Sequence, residues 1–402
     1  MPDSPTAPKN SKEAPQGESL KVSATKRQTC NIGFVPMIDC APLIVAQELG
    51  LFAKHGTSVR LTRELGWATI REKLLHQELD AAHAPASMAF AIHCGIGVVP
   101  RPCVAGMVMS LNGSAITLSH ELRKLGVRNA VTLKQLIDRE RDRRTFHFGA
   151  VLDLSTQNYN LRTWLKAGGI DPDVDVQITV VPPPLVHRAL ADRHLDGYCV
   201  AEPWNSLAVH EGTGWIVETA SNVAPRHPEK VFLVLEKFAK DRSKEFRALL
   251  AALIEASIFC EQPANRKELI RILAQPCYLD VPARILENSL LGPLSTGYEE
   301  RDASNFIIFH RDNASAPTRS QGWKVFNQIR EAGRARACRR FRPDVISRIF
   351  REDLYQEACQ EVGPREEPNS GSRLHRESAP PPSPNGMKAS TENRPLRWAL
   401  AG

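Results

Sequence analysis

Between residues 29 and 360 short apolar strands alternate with amphipathic helical segments, which restricts the chain to an α/β architecture more firmly than any motif in it. The pattern predicts strands at 31–35, 59–63 and 79–82, followed by helices at 41–49, 69–75 and 85–92. Strand, helix, strand order implies a parallel sheet with helical crossovers. A second set follows Ser119, with helices at 133–137, 157–167 and 185–191 and strands at 145–149, 176–181 and 197–200. A strand at 231–235 can rejoin the first sheet, and 243–262 and 265–273 read as long amphipathic helices. The expectation is two lobes: lobe I from 29–116 and 206–360, and lobe II from 117–205, with crossings near 111–117 and 202–208. Ligands in open α/β sheets bind beyond the carboxyl ends of strands, so the predicted site is a cleft between lobes.

Composition narrows the function classes. The 402 residues are 42% hydrophobic and 24% charged, as in ordinary globular proteins. Residues 1–28 and 361–402 are rich in Pro, Ser and charge, and are expected to form a disordered arm and a disordered tail. The apolar stretches at 88–109 and 249–260 are broken by His93, Arg101 and Glu255, so no membrane span is expected. The first thirty residues lack the apolar stretch of a secretory signal, which predicts a cytoplasmic protein. Nine scattered cysteines without a CxxC fit reduced thiols better than a disulfide framework or a zinc site. The net charge is +7, and seven arginines stand against one aspartate between Gly333 and Arg351. That segment reads as a solvated face, or else as a partner or nucleic-acid contact; for the protein as a whole no direct nucleic-acid partner is expected.

Phosphate-loop, zincin, hydrolase and dinucleotide fingerprints are absent, and His76, His83 and His93 lack partners at metal-ligand spacing. No enzyme activity, cofactor or metal is expected. Polar and aromatic residues stand instead at strand-to-helix junctions. Trp67 opens a helix after a strand, where helix N-terminal amides favour an anion. Asn112, Gly113 and Ser114 lie at the first crossing, where Gly113 would let backbone amides approach a ligand. Ser155, Thr156, Gln157 and Asn158 open another helix, and four consecutive hydrogen-bonding side chains exceed what a cap requires. Glu202 and Trp204 follow a strand directly, and Lys230 would enter the cleft as a lone cation suited to a small oxyanion.

The segments CAPLIVAQELGLFAKHG (40–56), RELGWATIREKLLHQELDAAHAP (63–85), LNGSAITLS (111–119), NLRTWLKAGGIDPDVDV (160–176), VVPPP (180–184), DGYCVAEPWN (196–205) and HPEK (227–230) resemble, in consistent order, the nitrate-binding family. That family comprises solute-binding components of nitrate and bicarbonate ABC transporters and a cytoplasmic nitrate/nitrite sensor branch (NasS-like). The resemblance implies a two-lobed, type II periplasmic-binding-protein-like fold gripping a planar anion between its lobes. It matches Trp67 to the family's ligand-contacting tryptophan and Lys230 to its ligand lysine. Ser114 stands where Asn or Gln is usual, and Gln157 where His is common.

With no export signal expected, the resemblance points to the sensor branch. Such a sensor holds an ANTAR-domain RNA-binding response regulator (NasT-like) inactive and releases it on binding nitrate or nitrite, allowing antitermination of nitrate-assimilation transcripts. Ligand-driven lobe closure would couple anion to partner, and the arginine-rich segment would contribute to the partner surface. The alternative is a nitrate or bicarbonate solute-binding component of an ABC transporter. A third branch of related fold, a pyrimidine synthase making a thiamine precursor, would need a His- and Cys-rich site that has no counterpart here.

Overall fold

Alternating strands and helices assemble two sheets in the computed structural model, which describes residues 29–333, 335 and 338–362. The proposed arm at 1–28, the tail from 363 onward, Arg334 and Arg336 lie outside the described residues. Strand β1 (Cys30–Phe34) pairs in parallel with β2 (Val59–Arg63) and β3 (Ala81–Pro85), as the helical crossovers require. The chain then enters β4 (Cys103–Asn112), buried along its whole length. Lacking a polar face, this strand has no period-two signature and reads from sequence only as part of an apolar run.

The crossing at 111–117 is a single sharp bend. Asn112 has φ 60° and Gly113 φ 86°, and a Cβ on Gly113 would come within 2.9 Å of Ile307 Cδ1. Only glycine meets both demands. Beyond it β5 (Ser114–Ser119), β6 (His147–Ala150), β7 (Gln177–Val180), β8 (Gly197–Ala201) and β9 (Gly214–Thr219) form a five-stranded sheet in the order β7-β6-β8-β5-β9. The chain returns through β10 (Pro228–Leu235), which inserts antiparallel between β3 and β4.

Two expectations need correction. The first sheet is mixed rather than parallel, because the returning strand runs against its neighbours. The second crossing lies between Thr219 and Pro228 rather than near 202–208, since β9 still pairs with β5. There Trp215 and Val217 pack in the core of the second sheet.

A strap then spans both lobes. Strands β11 (Leu294–Ser295) and β12 (Glu300–Arg301) pair with each other, and Leu294 and Phe306 pack against Ala115 and Ile216 of the second sheet. Strand β13 (Ile307–Ile308) then joins the first sheet beside β4, completing the order β13-β4-β10-β3-β1-β2. The helix Ser243–Glu261 covers that sheet and contributes Phe246, Leu249, Leu250 and Leu253 to the main core.

Candidate functional site

Lys230 lies near the start of β10, between the ends of β3 and β4, and its side chain is completely buried. A lysine reaches such a place only when its charge is matched. Its Nζ lies 2.7 Å from Asp39 Oδ2 and 2.9 Å from Glu229 Oε1. It is therefore not the lone cation expected from sequence. Burial pushes its pKa down, but Asp39 and Glu229 outweigh that and hold the ammonium above the usual lysine range. Burial likewise pushes Asp39 up, yet Lys230 and His83 bring it below the ordinary carboxylate value. For Glu229 the same contest, with Lys230 and His227 on the winning side, ends at about 2.

The ionised cluster extends through hydrogen bonds. His83 Nε2 lies 2.8 Å from Asp39 Oδ1, and burial lowers the imidazole's pKa, so a neutral ring donates through Nε2 to the carboxylate. Glu229 Oε2 lies 2.7 Å from His227 Nε2. Its other oxygen accepts a 2.8 Å bond from Thr156 Oγ1, tying the second sheet's helix to the first sheet's returning strand. Trp67 packs its indole at a tilt of 56° against the His83 ring, with centroids 5.3 Å apart, and Lys230 Nζ lies 5.4 Å from the indole centroid. Tryptophan, histidine, aspartate and lysine thus form one contiguous wall.

Several of the predicted site residues carry polar atoms with no protein partner. The Trp67 Nε1 donor, both amide atoms of Gln157, Ser114 Oγ, Asn158 Oδ1 and Glu202 Oε1 are all buried and unbonded. Native interiors rarely leave such groups unpaired, because each costs about 1–3 kcal/mol, so each of them is a candidate ligand contact. Gln157 is the clearest case. Ser155 caps the helix Thr156–Ala167 by accepting from Asn158 N, and Thr156 bonds Glu229, which leaves the amide of Gln157 with no structural task.

Other predicted residues serve the frame. The Gly113 N–H donates to Phe306 O at 2.6 Å and is not open to a ligand. Asn112 donates Nδ2 to Asn305 O at 2.9 Å, leaving only its buried Oδ1 unbonded. Trp204 donates Nε1 to Pro36 O at 3.1 Å and stacks on His187 with centroids 5.7 Å apart. Glu202 is divided: Oε2 accepts the Ser206 N–H, its carbonyl accepts the Ile38 N–H, and burial raises its carboxyl pKa to about 7. Asp39 escapes detection from sequence, although an acid among apolar neighbours just beyond β1 is the signal that could have found it.

The arginine-rich segment is separate from this cleft. Arg348 pairs with Asp344 at 3.0 Å and Arg351 with Asp353, while Arg339, Arg340 and Arg342 are exposed.

Comparison with known proteins places this geometry. The model of the NMT1-like family matches residues 23–274. The nitrate/nitrite binding protein NrtA of Synechococcus elongatus is 31% identical, over 92% of this chain and 86% of its own length. The nitrate import ATP-binding protein NrtC of Synechocystis is 34% identical over 86% of this chain, and the chain spans 52% of that relative. The chain therefore covers about half the length of the ATP-binding relatives that it matches. The crystal structure of the periplasmic nitrate-binding protein NrtA from Synechocystis superposes with a TM-score of 0.78 at 28% identity, covering 84% of this chain and 89% of that one. The fold is thus periplasmic-binding-protein-like.

Proposed function

Because this chain belongs to the NMT1-like family, we propose that it is a two-lobed receptor for nitrate or nitrite, held between Trp67 and Lys230 of one lobe and Gln157 of the other. The observation that carries this reading is the set of buried, unbonded polar atoms on the predicted site residues, with the Trp67 indole beside the buried Lys230 ammonium. A planar oxyanion accepts hydrogen bonds around its edge. The Trp67 indole N–H, the Gln157 amide N–H, the Ser114 hydroxyl and the third N–H of the Lys230 ammonium are donors of the right kind. Two ionised carboxylates outweigh the single Lys230 ammonium, so the site offers a monoanion hydrogen-bond donors rather than surplus positive charge.

The names of its relatives support service as the solute-binding component of a nitrate ABC transporter, with bicarbonate as the alternative solute. A second reading, a cytoplasmic sensor controlling an ANTAR-domain antiterminator, draws support from the cysteines. All nine are free thiols, six of them buried, as suits a reducing compartment.

Calorimetric titration with nitrate, nitrite and bicarbonate tests the ligand. A response to bicarbonate alone would reassign it. Fractionation of the native protein, with pull-down of an ANTAR-domain regulator in the presence and absence of nitrate, separates the two roles. Nitrate-dependent release of the regulator supports the sensor, and export without regulator binding supports the transporter component.

A further inference from the structure

A cavity of about 470 Å³ opens beside the strap, and Lys230 is not among its lining residues. Its lining includes the charged Glu261, Arg266 and Arg311 and the apolar Leu290, Leu291 and Ile307. The charges are unevenly matched. Glu261 is fully engaged: Oε1 accepts from Arg311 Nη1 at 2.7 Å, and Oε2 accepts the N–H groups of Phe309 and His310 at 2.8 and 2.9 Å. Arg311 is engaged in turn, donating Nη2 to Asn305 Oδ1 at 3.0 Å and to the Ser304 carbonyl.

Arg266 is the exception. Among the described residues no carboxylate lies within ion-pair distance of it, and its guanidinium rests 5.5 Å from the centroid of the Phe309 ring. Burial pushes its pKa below the usual arginine value. It also occupies the first position of the helix Arg266–Leu273, where the helix dipole disfavours a cation. A half-buried arginine at the N-terminal end of a helix, with a ring face and the field of Glu261 but no direct ion pair to offset its burial, breaks local rules, and such breaks concentrate at functional sites.

We propose that this cavity is a second binding site, taking a small organic anion whose carboxylate or phosphate head is gripped by Arg266 and whose carbon body lies on Leu290, Leu291 and Ile307. The volume falls within the roughly 300–1,000 Å³ range of small-molecule pockets and exceeds what an inorganic ion fills. The planar guanidinium fork matches either head group bidentately. An occupant would also bear on the lobe crossing. Ile307 pairs with Asn112 across β13 and β4, and the neighbouring Phe306 carbonyl accepts the Gly113 N–H. The second site itself is independent of the nitrate reading; coupling between the two sites rests on it.

The test is calorimetric titration of the full chain with glutarate and with glycerol 3-phosphate, each with and without saturating nitrate. The expected result is one-to-one binding of at least one probe under both conditions. Binding of glutarate alone identifies a carboxylate head, and of glycerol 3-phosphate alone a phosphate ester. Arg266→Met should weaken the probe at least tenfold, and Arg266→Lys, which keeps the charge but loses the fork, should fall between. Where coupling exists, probe and nitrate change each other's affinity by the same factor. The proposal is overturned if neither probe binds at millimolar concentration, if saturating nitrate abolishes probe binding, or if Arg266→Met leaves the affinity unchanged. Should nitrate fail to bind at all, the cleft reading falls while the probe titration still decides the second site.

Discussion

The ammonium of Lys230 lies 2.7 Å from Asp39 Oδ2, with both side chains completely buried. The pair joins the returning strand β10 to the turn after β1, so it fixes the floor of the cleft as well as its charge. Asp39→Asn leaves the ammonium with Glu229 alone and deprives His83 of its ionised acceptor. Removing one partner of a buried pair costs about 3–5 kcal/mol, and urea denaturation should show a loss of that order. A change below about 1 kcal/mol would mean that the cluster does not depend on this contact.

Gln157 offers a sharper discrimination between folding and binding. Its buried amide has no protein partner, so Gln157→Met, nearly isosteric and apolar, should stabilise the unliganded protein by up to about 1–3 kcal/mol. The same change should weaken nitrate binding by roughly 10- to 150-fold, the worth of a hydrogen bond to a charged group. Thermal unfolding and calorimetry on one preparation check both halves. A destabilised variant with unchanged affinity would reverse the assignment.

Glu202 makes the cleft sensitive to pH near neutrality. Burial raises its pKa to about 7, against an unfolded value of about 4.3. A raised folded value means that the stability from the neutral acid is present below the unfolded pKa and is lost as pH rises through the folded one. With Oε1 unbonded, the neutral acid can also donate a hydrogen bond to an anion. Nitrate affinity should therefore hold steady below about pH 7 and fall up to tenfold per pH unit above it. Glu202→Gln should flatten that profile while keeping a donor; an unaltered profile would clear Glu202 of the effect.

Glu229 titrates with the opposite sign. Its folded pKa is depressed to about 2, so its contribution is present above the unfolded value of about 4.3 and is lost as pH falls through the folded one. Acid unfolding should begin below about pH 4.3, and Glu229→Gln should reduce the steepness of that limb relative to wild type. Superimposable acid limbs would contradict the ionised cluster.

Much of this arrangement is readable from sequence where the chemistry is local. Trp67 and Gln157 stand in first helical turns, and the excess of polar side chains at 155–158 exceeds the needs of a cap; the structure finds Ser155 doing the capping and Gln157 left over. What depends on distant partners is hidden. Lys230 reads as a lone cation because Asp39 reaches it only through the insertion of β10 between β3 and β4. Trp204 resembles a ligand aromatic by position, yet its indole bonds Pro36 and stacks on His187, contacts that no spacing reveals. Strand β4 escapes for another reason: burial on both faces erases the alternation by which strands are recognised.

The most direct test of the cleft is the indole N–H resonance of Trp67 in a 15N-correlated NMR spectrum, assigned by its loss in Trp67→Phe, followed during titration with nitrate. An unpaired donor that acquires an anionic acceptor should move progressively downfield and saturate together with the calorimetric isotherm, and Trp67→Phe should bind nitrate roughly 10- to 150-fold more weakly. A Trp67 signal that stays fixed while nitrate binds, or a spectrum unchanged by nitrate altogether, would contradict an anion held between Trp67 and Lys230.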